Sequence, residues 1–172
     1  MILKFSKNQV FNIAPQMRTY NDAAARQYWL PYITYATYPL LRSPVLNTDK
    51  FGLRHSLMGD GSLVTLNDRP EGPVSVILGS SIVFGIGCES DAGTMASHLC
   101  LLTGKPWVNF GVRSYTISQN LIFLLLHQHL LGLVDEIILV VGRNELYSFI
   151  YSSIFMPLYG AFPEFISYIG LT

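Results

Sequence analysis

An α/β fold built on a parallel sheet is predicted by three observations. Three apolar, β-rich runs recur at 74–78, 106–110 and in IILVVG at 137–142. Helical stretches of ordinary length separate them, and each run ends in small or polar residues: Gly79-Ser80-Ser81, Asn109-Phe110-Gly111 and Gly142-Arg143-Asn144. A β-α-β-α-β order of this spacing calls for right-handed crossovers and a three-layer α/β arrangement. At 172 residues the chain is one domain.

In order along the chain, residues 1–72 carry five of the nine prolines and many Asn, Asp and Arg residues. They are expected to wrap irregularly around the core. The core begins at Pro73, where VSVILG reads as a buried strand entering a functional turn. Asp91, Ala92, Gly93 and Thr94 open a helix through MASHLCLLTG, with an acidic first turn and Gly104 as its stop. The second strand follows almost at once. Thr116 or Ser118 caps the helix ISQNLIFLLLHQHLLGL, whose apolar residues occupy nearly every face and predict burial almost all round, and Gly132 closes it. Asp135 and Glu136 precede the third strand, expected to be buried. The core thus spans 73–146, and 147–172 forms an apolar tail with eight aromatic residues and Glu164 as its only charge.

Composition narrows the function. Eleven Lys+Arg balance eleven Asp+Glu, so the cationic surface that nucleic acid requires is absent. Charged residues are 13% of the chain and apolar types 50%, a thin polar coat that predicts a partner, either a homo-oligomer or a heteromer. Cys88 and Cys100 supply neither a metal quartet nor a disulfide framework, and the N-terminus lacks a secretory h-region, so no metal or cofactor and a cytoplasmic setting are expected. Two weakly charged stretches, 114–134 and 146–172, are interrupted by polar residues or by Pro157, Gly160 and Pro163, and no transmembrane span is expected.

Ligands of parallel sheets gather beyond the C-terminal strand ends, which makes the three turns the first candidate site. Ser81, just past a buried strand and leading into a helix, is placed as a nucleophile would be. An acyl carbon attacked there develops an oxyanion, for which Gly111 and the Asn144 amide are donors of the right kind. A strand-ending turn with a capping hydroxyl is the plainer reading of Gly-Ser-Ser. Arg113 and Arg143 flank this region and suit a substrate carboxylate or phosphate, or else serve as solvated surface residues.

These residues resemble the SGNH or GDSL-type esterases and acyltransferases. Gly79-Ser80-Ser81-Ile82-Val83-Phe84-Gly85 is similar to the first block, Asn109-Phe110-Gly111 to the second, and Gly142-Arg143-Asn144-Glu145 to the third with glutamate replacing aspartate. Ser114-Tyr115-Thr116 follows the second block much as Gly-Tyr-Thr does in many members, and 47–54, NTDKFGLR, resembles a segment that precedes the first block. The resemblance implies a three-layer, flavodoxin-like SGNH fold, incomplete at the C-terminus. It implies Ser81 as nucleophile and an oxyanion hole from the N–H groups of Ser81 and Gly111 and the Asn144 side chain. The family's last block, Asp-x-x-His, has no counterpart: none of His55, His98, His127 and His129 has an acid three residues before it, and no histidine lies in 146–172. A serine without a base is a poor nucleophile at neutral pH. A partner chain supplying Asp-x-x-His, a truncated copy, or an internal substitute, for which His55 is the best candidate, would each answer the gap. The expected activity is hydrolysis or transfer of the acyl group of a small-molecule ester or an acylated carbohydrate. The alternative is a non-catalytic SGNH-like subunit that binds an acyl or carbohydrate ligand or scaffolds a partner.

Overall fold

Residues 6–24, 26–31, 33–142 and 144–146 are described in the computed structural model of the chain. The N-terminal half, expected to be irregular, holds two short helices and two antiparallel hairpins. Helix α1 (Lys7–Ile13) begins at Ser6, whose hydroxyl accepts from the Gln9 N–H while the Gln9 side chain accepts from the Ser6 N–H. This reciprocal cap is encoded by the Ser-x-x-Gln spacing. Helix α2 (Met17–Ala24) follows, then β1 (Gln27–Leu30) paired with β2 (Thr34–Thr37), and β3 (Ser56–Leu57) paired with β4 (Leu63–Val64). The prolines that suggested irregularity are punctuation: Pro15 separates α1 from α2, and Pro31 sits in the turn between β1 and β2. Ile33, Leu53, Val64 and Leu66 join one buried cluster with the sheet residues, so the first 72 residues complete the core.

The central sheet is parallel. Strand β5 (Val74–Gly79), buried at every position, lies between β6 (Trp107–Gly111) and β7 (Val134–Val140), in the order β6-β5-β7. The predicted α/β class with a parallel sheet is therefore present. Its register sets Gly79 beside both Gly111 and Val140, which brings the three C-terminal ends level. Between the strands run α3 (Ser81–Phe84), a single 3-10 turn at Asp91–Gly93, α4 (Met95–Thr103) and α5 (Ile117–Leu131). The helical opening expected at Asp91 is thus a separate turn: Thr94 takes an extended conformation and caps α4 through its hydroxyl, which accepts the Ser97 N–H at 3.2 Å. Gly104 ends α4 in the left-handed conformation, and Thr116 begins α5 with Gln119 Oε1 accepting its N–H at 3.0 Å.

Two expectations about burial need correction. Strand β7 is not a buried strand, because it pairs only with β5 among the described residues and exposes Ile137 and Leu139. Asp135 and Glu136 lie inside it rather than ahead of it, and both meet the Lys105 ammonium, Asp135 at 2.8 Å. Likewise α5 is not enclosed. It packs on β5 and β6 through Phe123 and Leu124, while Leu121, Leu125 and Leu126 face outward. An all-round apolar sequence cannot report whether a second layer exists to cover it. No helix among the described residues is long and apolar enough to cross a membrane; the candidate stretch at 114–134 is the fifteen-residue α5, and 147–172 lies outside the described residues.

Candidate active site at the strand ends

Ser81 is the first residue of α3, two residues beyond the last residue of the central strand, and is half-buried. The far end of this short helix is fixed by Arg54, whose side chain is buried. Its guanidinium donates to the Phe84 carbonyl at 3.0 Å, the Gly85 carbonyl at 2.7 Å and the Val45 carbonyl at 2.7 Å. Its Nε meets Asp91 Oδ1 at 2.8 Å, and Asp91 also accepts from Asn47 Nδ2 at 2.7 Å. Terminal helix carbonyls lack intrahelical partners, and a planar five-donor cation can satisfy several at once if its charge is paired. The 47–54 segment therefore holds the turn that follows Ser81.

The end of β6 approaches α3 so closely that only glycine fits at 111. A Cβ there would lie 2.2 Å from the Phe84 nitrogen. Asn109 completes the junction: its Nδ2 donates to the Val83 carbonyl at 2.9 Å, and its Oδ1 accepts the Gly111 N–H at 2.9 Å. The Gly111 N–H, expected as an oxyanion donor, is thus engaged by a side chain two residues away. The chain then turns at Arg113 and Ser114, and Ser114 adopts φ of 62°, a left-handed conformation unusual for a residue with a Cβ. Tyr115 is buried behind this turn, its hydroxyl donating to the Tyr35 carbonyl; burial pushes its pKa up.

The end of β7 is tied to the same turn. Asn144 Nδ2 donates to the Tyr115 carbonyl at 2.8 Å, while the Glu145 carboxylate accepts the Ile117 N–H at 2.8 Å and the Gly142 N–H at 2.9 Å. Arg143 lies outside the described residues.

Above these turns is a cleft of about 380 Å³. It is lined by Lys7, Val10, Phe11, Met17, Tyr20 and Asn21 of α1 and α2 together with Ser81, Ile86, Arg113 and Ser114. Ser81 and Arg113 are therefore brought together as the sequence suggested, while Asn144 stands behind the turn rather than in the cleft wall. The sequence reading missed the helical wall and Ser114. Ser114 had one available signal, because it stands where the resembled pattern carries glycine.

No histidine lines the cleft. His55 is half-buried beside Asp49, Asp91 and Arg42, and desolvation lowers its pKa. Its candidacy as a base for Ser81 has no support in the geometry. The His98 and His127 rings bond to carbonyls one helical turn back, Thr94 and Phe123, with His127 also packed edge-on against Phe51 and Phe123. His129 is exposed in the last turn of α5. Cys88 is half-buried and donates to the Gly93 carbonyl; Cys100 is buried, and both are free thiols. Among the described residues no group of His, Cys, Asp or Glu is arranged to hold a metal ion. No protein-family model matches the chain, and no curated protein matches it.

Proposed function

We propose that the chain is an SGNH-type module for acyl-ester hydrolysis or acyl transfer, with Ser81 as its nucleophile. The observation that carries this reading is the position of Ser81 in a cleft wall at the C-terminal end of the central parallel strand, on a turn clamped by a buried ion pair. In this reading the Ser81 hydroxyl attacks the ester carbonyl and loses its proton to a base. The tetrahedral oxyanion collapses with departure of the alcohol, and water or an acceptor alcohol then releases the acyl group. With the Gly111 N–H engaged, the second backbone donor falls to the Arg113–Ser114 turn, whose N–H groups have no partner among the described residues. The left-handed Ser114, which lines the cleft with Ser81, supports this assignment, and Asn144 holds the same turn from behind through its bond to the Tyr115 carbonyl.

The base comes from outside these 172 residues, from a partner or additional segment bearing Asp-x-x-His that extends the sheet beyond β7. The exposed apolar residues on that strand support such an extension, in a homo-oligomer or a heteromer. The two free thiols favour a cytoplasmic setting. A second reading, a binding subunit that holds an acyl or acylated-carbohydrate ligand without turnover, is favoured by one observation: no histidine lines the cleft.

A fluorophosphonate probe tests the first reading. Labelling of the full chain is expected at Ser81, faster at pH 9 than at pH 7 because hydroxide substitutes for the missing base, and absent in Ser81→Ala. Equal labelling of wild type and Ser81→Ala would remove Ser81 from the mechanism. No labelling at either pH would leave the binding subunit as the better reading.

A further inference from the structure

The cleft over Ser81 has an uneven chemical lining. Lys7 enters from the first turn of α1 and Arg113 from the turn after β6, and among the described residues no aspartate or glutamate lines the cleft they share. The three ion pairs among the described residues engage Arg54 and Lys105, so neither cleft cation is neutralised by a carboxylate there. Val10, Phe11, Met17 and Ile86 give the same cleft an apolar surface. Lys7 and Arg113 are both exposed, and two positive groups on one concavity raise the positive potential over it, while the half-buried apolar residues beside them offer a surface on which a ligand's hydrocarbon can leave water.

We infer that this cleft binds an amphiphilic anion: a carboxylate held by Lys7 and Arg113, attached to an apolar body that lies on Val10, Phe11, Met17 and Ile86. A guanidinium matches a carboxylate in a two-point contact, and the ammonium adds an adaptable third. A neutral ester would gain nothing from the two cations, and an organic cation would be repelled. The preferred substrate of Ser81 is then an ester that retains a free carboxylate. That last step rests on the hydrolase reading, whereas the ligand class itself requires only that the cleft be the binding site.

Calorimetric titration of the full chain with octanoate, 1-octanol, octylammonium and inorganic phosphate tests the inference. Octanoate is expected to bind saturably, at least about tenfold tighter than each of the other three. Lys7→Gln and Arg113→Gln should each weaken it about tenfold, the loss expected for a charge-assisted hydrogen bond. Arg113→Glu should reverse the preference towards octylammonium, a gain that a misfolded variant would not show. Octanol or octylammonium binding as tightly as octanoate, or unchanged binding in the Lys7→Gln/Arg113→Gln double variant, would overturn the charge assignment. Phosphate binding as tightly as octanoate would overturn the apolar half, and no saturable octanoate binding would overturn the whole. Fluorophosphonate labelling separates this from the hydrolase reading. Labelled Ser81 without octanoate selectivity would sink the ligand class alone, and octanoate selectivity without labelling would sink the nucleophile alone.

Discussion

Strands β5 and β7 are similar as sequences and opposite as structures. Val76 and Ile137 are cross-strand partners, yet Val76 is wholly buried and Ile137 is 56% exposed. The cause is position: β5 has a hydrogen-bonded neighbour on each edge, whereas β7 has β5 alone among the described residues. The difference continues into the turns. The turn after β5 is gripped by a buried guanidinium, by Asp91 and by the close approach at Gly111. The turn after β7 depends on Asn144 and Glu145, both only half-buried. One half of the candidate site is thus held rigidly by the fold, and the other by a few partly solvated bonds. A nucleophile benefits from the first kind of support, because positional precision costs it nothing at the moment of reaction.

The strongest way to break this comparison is to place the same charge on both members of the cross-strand pair. Val76→Lys buries an unpaired ammonium and should abolish cooperative urea unfolding; Ile137→Lys should change stability by no more than about 0.5 kcal/mol. Comparable damage from both would mean that β7 is covered in solution. The next largest effect concerns the turns. Arg54→Ala leaves Asp91 without its cation and should cost about 3–5 kcal/mol by urea melts, against about 1 kcal/mol for Asn144→Ala. A smaller loss from Arg54→Ala than from Asn144→Ala would show that the β5 turn is not clamped as described.

The smallest effect sharpens the comparison beside the clamp. Burial lowers the pKa of His55, so the unfolded chain takes up its proton more readily than the folded one. The resulting stability is complete above the ordinary histidine pKa of about 6.5 and is lost as pH falls through the lower folded value. His55→Gln should flatten that acid limb, seen as a smaller drop in urea midpoint between pH 7.5 and pH 5. An unchanged drop would place the acid sensitivity in other groups.

Much of the sheet was legible because its signals are local. The succession of strands along the chain followed from apolar runs ended by small or polar residues, and Thr116, Gly104 and Gly132 mark helix boundaries through turn chemistry that acts over three or four residues. The N-terminal helices and hairpins are obscured in the sequence because the prolines that suggest irregular wrapping in fact separate short elements. At the site, Ser81 and Arg113 could be singled out from their places after strands. The engagement of the Gly111 N–H could not, since it depends on where the Asn109 side chain turns once α3 is packed against β6.

The sequence by itself determined the α/β class, the parallel succession of three strands and the nearness of Ser81 to the strand ends, because hydrophobic period and turn residues act within a few positions of the chain. Tertiary structure alone decided that β7 is an edge strand among the described residues, that the outer leucines of α5 face outward, and that Lys7 of α1 lines one cleft with Ser81 and Arg113. Those outcomes depend on which surfaces meet across long stretches of chain. An apolar residue records an affinity for burial without naming the surface that will cover it.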